Sequence, residues 1–245
     1  MKEILSDIVR QVAPLFTTIR VTGGDDSTKV EAYTEDKSLF LVARLKASIP
    51  EFAGEFGIGS LQMLNGLLNF SSYKTDDAKF FVHRTSRDDL EFVSEFQFKD
   101  NKGAGTRFKT MSPRMVGEQA TIKNISWELT FRPTKAKIAE IAQISNLLSE
   151  VDKMFGLRVA DGTLFLTIGG DSEVKHAATV ALTDENIDNK LVNANPWLYN
   201  TAQFLSILKN AGSECNVLIS SRGVIGIVVE TDQGEYTFYM RGKPE

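Results

Sequence analysis

Two histidines, His83 and His176, and one cysteine, Cys215, make up the chain's whole supply of soft metal ligands, and none of them stand at zinc spacing. The acidic pairs Asp76-Asp77 and Asp88-Asp89 have the hard oxygen chemistry that suits magnesium, but acids in turns read the same way and are far commoner. Ser221-Arg222-Gly223 offers a hydroxyl without a neighbouring histidine or acid to activate it. No Gly-x-x-x-x-Gly-Lys-Ser/Thr or Gly-x-Gly-x-x-Gly stands between a strand and a helix, and Gly103-Ala104-Gly105 lacks a third glycine and sits in a turn. Gly23-Gly24-Asp25 and Gly169-Gly170-Asp171 read as hairpin turns. These residues predict a protein that is not an enzyme and uses neither cofactor nor metal.

The other groups with chemistry to offer are cations on helices. Lys2, Arg10, Lys135, Lys137 and Lys209 lie on or beside predicted helical segments, against Glu3, Asp7, Glu140 and Glu150. The helices therefore carry about +1 in a chain of net charge −4, which leaves about −5 for the remainder. Ordinary solvated faces explain this. So does a surface that meets a phosphate backbone through weak contacts blind to sequence.

Hydrophobic periodicity supplies the elements that position these cations. Ile4, Leu5, Ile8, Val9 and Val12 share one arc of a helix over 3–13, with Arg10 pointing away and Pro14 ending it. Alternating runs predict strands at Thr17–Thr22, Thr28–Thr34, Ser38–Lys46, Ala78–Thr85, Asp89–Phe98 and Thr106–Met111, with a short run near Phe52–Ile58. From Met111 to Lys123 the pattern breaks into a connector. It then restarts with a strand at Ile125–Phe131, a helix at Thr134–Leu148 and strands at Met154–Ala160, Thr163–Ile168 and Lys175–Leu182. A short strand near Lys190–Ala194 and a helix at Leu198–Ala211 precede strands at Asn216–Ser220, Gly223–Glu230 and Glu235–Arg241.

One helix is written twice. Ser60–Phe70 lies over Thr201–Ala211 without a gap, Gln, Leu, Leu and Asn coincide, and Met63 faces Phe204. In this register Met63, Leu64 and Leu67 form the apolar side, as do Phe204, Leu205 and Leu208. Self-similarity at this distance predicts two like domains, 1–112 and 124–245, joined by a connector at 113–123. The fold class is α+β, with two helices on one face of antiparallel sheets in each domain.

At 245 residues the chain is long enough for two domains. No apolar run approaches the roughly 18 residues that span a bilayer, so no membrane partner is expected. The acidic N-terminal segment does not read as a secretory signal, and a lone cysteine suits a reducing cytoplasm.

With these elements in order, the chain resembles the DNA sliding clamps, the processivity-factor family that includes proliferating cell nuclear antigen (PCNA) and the clamps of T4-type bacteriophages. The residues that carry the resemblance are the helix from Phe204 to Glu214, the strand from Ser38 to Leu45 and the tail from Tyr236 to Met240. In length the chain is most similar to the two-domain phage clamps. The resemblance implies a homotrimeric ring around duplex DNA, helices inside and sheets outside, that tethers a DNA polymerase and is closed by an ATP-dependent clamp loader. For T4-type clamps it also implies contact with the transcription machinery, in the cytoplasm of an infected bacterial host. Lys2, Arg10, Lys135, Lys137 and Lys209 would face the pore, although Ser60–Phe70 lacks the basic residue the family places there and only Lys74 follows it. Leu39, Met115, Val116, Tyr239 and Met240 would line a pocket for partner peptides. The edges near Thr106–Met111 and Lys175–Leu182 would join successive subunits. A β-rich self-assembling scaffold protein and a monomeric processivity factor of the same fold are the alternatives.

Overall fold

The computed structural model describes residues 1–87, 90–117, 122, 124–169, 176–183, 197–212 and 214–244. The Asp88-Asp89 pair, residues 118–121 and 123 of the connector, Gly170-Asp171 of the second Gly-Gly turn, Lys175 and the strand expected at 190–194 lie outside the described residues. The chain forms two units: Met1–Thr34, Phe40–Thr121 and Thr231–Tyr236 make one, and Glu35–Leu39, Ile122–Glu230 and Thr237–Glu245 the other.

In the first unit, α1 (Lys2–Val12) buries Leu5, Ile8, Val9 and Val12, the stripe expected of residues spaced three and four apart. It stops at Ala13, before Pro14. Four strands follow: β1 (Ile19–Gly23), β2 (Thr28–Tyr33), β3 (Leu39–Leu45) and β4 (Gly54–Ile58). They hydrogen-bond in the order β4-β1-β2-β3. After α2 (Leu61–Leu68) come β5 (Lys79–Arg87), β6 (Leu90–Lys99) and β7 (Gly105–Lys109), an antiparallel sheet in that order. Aromatic rings fill the core between the layers. Phe52 meets Phe56 edge-on at 5.5 Å, Phe96 lies within 6.0 Å of Phe52, and Tyr73 stacks on Phe98 at 5.5 Å.

The second unit repeats the plan. It comprises β8 (Leu129–Phe131), α3 (Lys135–Leu147), β9 (Met154–Ala160), β10 (Thr163–Ile168), β11 (Ala178–Ala181), β12 (Trp197–Asn200), α4 (Thr201–Ala211), β13 (Cys215–Ser220), β14 (Val224–Glu230), β15 (Gly234–Arg241) and β16 (Lys243–Pro244). Residues Gly234 to Tyr236 of β15 group with the first unit. The order β11-β10-β9-β12 mirrors β3-β2-β1-β4, and β15-β14-β13 mirrors β7-β6-β5, with β8 added beyond β13. Duplication is thus written in sheet order. The two units together have four helices among the described residues, in mixed α/β domains of antiparallel sheet.

Two local expectations are corrected. Residues 198–200, expected to open the last helix, belong to β12, and the side chain of Asn200 caps α4 by accepting from the Gln203 N–H at 3.0 Å. The repeat register also moves by one residue. Ser60 and Asn200 are the residues that precede α2 and α4, so Leu61 corresponds to Thr201, Leu64 to Phe204 and Leu68 to Leu208, all buried. Met63, placed on the apolar side by the gapless match, is 55% exposed. A period of 3.6 residues lets two apolar stripes match nearly as well one residue out of step. The helix starts and the buried positions decide.

Candidate nucleic-acid interface

Helices α1 and α2 pack beside one another, as do α3 and α4. The Gln62 side-chain amide donates to the Ala13 carbonyl at 2.6 Å, which ties the start of α2 to the end of α1. Asn69 folds back on its own helix, donating to the Asn65 carbonyl at 2.9 Å. The outer face of α2 is therefore polar, uncharged and partly self-satisfied.

The five expected cations differ in environment. Lys2 is half-buried and donates through Nζ to the Tyr73 carbonyl; burial, and then the charge of Lys74, hold its ammonium below the usual lysine range. Lys74, in the turn after α2, lies near enough to Lys2 for its charge to act on it. Arg10 donates to Asp7 at 2.6 Å across one helical turn, and its side chain stays 61% exposed. Lys137 pairs with Glu140 at 3.0 Å. Lys135 and Lys209 are exposed, in the first turn of α3 and the last turn of α4. Lys209 complements its helix dipole, whereas Lys135 opposes one, in a first turn without any acid. Along α3, spacing puts Ile138, Ile141, Ile144 and Leu148 inward and Lys135, Ala139, Gln143 and Asn146 outward; the outward four are exposed, but only Ile138 and Ile141 are buried, with Ile144 and Leu148 half-buried.

Position in the sequence makes Asp7 an ordinary helix-face acid. It is instead buried, and its second oxygen accepts from Thr231 Oγ1 at 2.8 Å and from the Tyr236 hydroxyl at 2.9 Å. An acid on the rim of an apolar stripe looks exposed in sequence, because its donors lie at the other end of the chain.

Of the five expected pocket residues, three reach the surface. Met115 is 67% exposed, and Val116 and Tyr239 are half-buried. Leu39 and Met240 are closed off, at 0% and 1% exposure, because strand alternation sends Leu39, Leu41 and Ala43 inward on β3 and Tyr236, Phe238 and Met240 inward on β15. The outward neighbour of Leu39 is Phe40, whose ring lies 6.4 Å from that of Tyr33. Tyr33 and Phe40 escape the sequence reading, as does Trp127, which stacks on Tyr239 at 6.4 Å in the second unit. Strand parity is the signal that could have found Phe40.

The start of the connector lies across the first unit's sheet. Met111 exchanges two backbone hydrogen bonds with Gly57, at 2.8 and 2.9 Å. Arg20 donates to the carbonyls of Val116 at 3.2 Å and Gly117 at 2.6 Å, and its other nitrogen meets Glu55 at 3.2 Å. Gly57 lies so close beneath that a Cβ there would come within 2.4 Å of Val116 Cγ2. One guanidinium thus pins a strap of backbone.

Among the described residues, no three His, Cys, Asp or Glu side chains gather in a way that could hold a metal ion, and no helix is long and apolar enough to cross a membrane. Cys215 is buried, and its thiol is pushed up to about 11 by that burial.

No protein-family model matches this sequence, and no curated protein matches it by sequence. Solved structures do match it in fold. PCNA from Thermococcus kodakaraensis aligns with a TM-score of 0.69 over 99% of this chain and 97% of that one, at 11% identity. The PCNA2–PCNA3 complex from Sulfolobus tokodaii gives 0.66 over 100% and 97%, at 12% identity. The structure of the C-terminal region of FEN-1 bound to A. fulgidus PCNA gives 0.67 over 100% and 96%, at 11% identity. The fold is that of the PCNA sliding clamps.

Proposed function

We propose that this protein is a DNA sliding clamp, a non-enzymatic ring that encircles duplex DNA and tethers a DNA polymerase for processive synthesis. The observation that carries this reading is the duplicated plan: two units, each with a pair of helices side by side over sheets of matching strand order, in the PCNA fold from end to end. Three copies would supply six such units. β7 and β11 are terminal strands of their sheets, and pairing them between copies would close the ring and remove two exposed edges.

In this reading the domains are 1–112 and 124–245, with 113–123 as connector. Lys2, Arg10, Lys135, Lys137 and Lys209 face the pore, and Lys74 joins them. Lys135 supports the assignment best, since a cation in a first turn works against its helix and needs another reason to be there. Leu39, Met115, Val116, Tyr239 and Met240 are proposed as the partner-peptide residues, of which Met115, Val116 and Tyr239 reach the surface. The T4-type phage clamps, with a loader, a role in late transcription and the cytoplasm of an infected host, are the finer part of this proposal.

Sedimentation with particle imaging tests the assembly, where a trimer with a central hole about one duplex wide is expected. The functional test is product length from a primed template with cognate polymerase, loader and ATP. Products that stay equally short with and without this protein refute the proposal, and a lattice in place of rings favours a scaffold.

A further inference from the structure

We infer that the outward face of the β5-β6-β7 sheet binds single-stranded nucleic acid, on elements distinct from the helices and without resting on the clamp reading. Antiparallel registers assemble this face. Lys79 lies opposite Lys99, Phe81 opposite Gln97 and His83 opposite Glu95, while Arg107 and Lys109 flank them on β7. Strand alternation sends Phe96, Phe98 and Phe108 into the core and leaves the basic residues outside. Four permanent cations therefore share one sheet face with one acid, in a chain whose net charge is −4.

That one acid holds two of the cations. Glu95 is 6% exposed, accepts a hydrogen bond from Lys109 and lies 3.6 Å from Arg107. The Lys109 bond keeps its carboxyl below the usual glutamate range, ionised and holding both partners. Arg107 and Lys109 nonetheless stay 68% and 73% exposed, so each is anchored at its head and open to a phosphate. At the far end of the hairpin, Glu91 is engaged by Arg84 at 2.9 Å.

Cations alone would suit any polyanion. The rings narrow the choice. Phe81 is 39% exposed, with Lys99 Nζ 5.6 Å from its centroid, and the His83 ring lies 6.4 Å away on the same strand. His83 Nε2 and Gln97 Oε1 are 3.0 Å apart, so the imidazole donates to the amide and its orientation is set. Two flat side chains two residues apart on one strand project to the same side. Rings on a basic sheet are a stacking platform for unpaired bases. A duplex keeps its base faces inside the stack, and an acidic peptide would leave the rings unused.

The test is fluorescence anisotropy with a labelled oligothymidylate of about 15 nucleotides, within the usual span of one single-strand-binding fold, on the full chain without loader or polymerase. Saturable binding that weakens steeply with salt is expected. Lys79→Glu with Arg107→Glu should flatten the salt slope by about 0.7 for each phosphate that the protein no longer neutralises. Phe81→Ala should weaken binding roughly fivefold or more while leaving that slope unchanged. If Phe81→Ala fails to fold, the double charge variant, at surface positions, still carries the test. The inference is overturned if no binding appears at low salt, if a duplex of equal length or an oligoglutamate peptide competes equally, or if folded variants bind like the parent. A chain that fails to close into a ring can still bind here, so failure of the clamp reading is told apart from failure of this one.

Discussion

The hydroxyl of Tyr236 donates to Asp7 across 2.9 Å of space and 229 residues of sequence. Tyr236 is fully buried in β15, and Asp7 is one of two buried polar side chains in α1. With Thr231 Oγ1 at 2.8 Å and Arg10 at 2.6 Å, the carboxylate has three donors within the first unit. The first helix is thereby fastened to a segment from the other end of the chain.

Asp7→Ala should cost about 2–3 kcal/mol, because it strands the Tyr236 hydroxyl in the core as well as removing a charge-assisted bond. Tyr236→Phe should cost less, about 1–2 kcal/mol. Urea unfolding of both single variants and the double variant measures the coupling. Additive losses would mean that the two groups do not act together.

Alkaline stability should depend on the same phenol. Burial, then the charge of Asp7, pushes the Tyr236 hydroxyl well above its ordinary value of 10.0. The folded chain keeps that proton where the unfolded chain releases it, so the contribution is complete below about pH 10 and declines as pH rises further. Tyr236→Phe should flatten this alkaline decline relative to the parent, read as unfolding midpoints across pH 9 to about 11.5.

Gly57→Ala should lift the strap from Met111 to Gly117, since the added Cβ meets Val116 Cγ2 at 2.4 Å and Met111 Cβ at 3.1 Å. Arg20→Met should free the same strap by removing its bonds to Val116 and Gly117. Faster amide exchange at Met111 and quicker tryptic cleavage after Arg114 are the expected readouts. Unchanged protection in both variants would show that the strap is held by something else.

Lys135→Glu should have opposite effects on stability and function. Replacing a cation by an anion in the first turn of α3 should stabilise the helix by about 0.3–1 kcal/mol. In the clamp reading it should also shorten residence on DNA, as should Lys209→Glu and Arg10→Glu. Single-molecule dwell times on linear DNA, set beside thermal melts, separate the two. A Lys135→Glu variant that dwells as long as the parent would remove this residue from the pore.

Much of the architecture is readable in the order of residues alone. The stripe of Leu5, Ile8, Val9 and Val12 has no stable place except on a helix, and the bounds of β9 and β10 agree with the alternation that predicts them. The outward set of α3 follows from the same periodicity. Local pattern determines which element forms and which side faces in, because both depend on neighbours one to four residues away. The partner of each side chain was left to the tertiary structure. It decided that Asp7 is core, that Phe40 and not Leu39 looks outward, that Lys74 stands beside Lys2, and that Asn200 rather than Ser60's match sets the register of the repeat. It also gathered Lys79, Phe81, Lys99, Arg107 and Lys109 from three strands onto one face. Such contacts join residues far apart along the chain, and one-dimensional periodicity carries no information about which distant strand arrives to complete them.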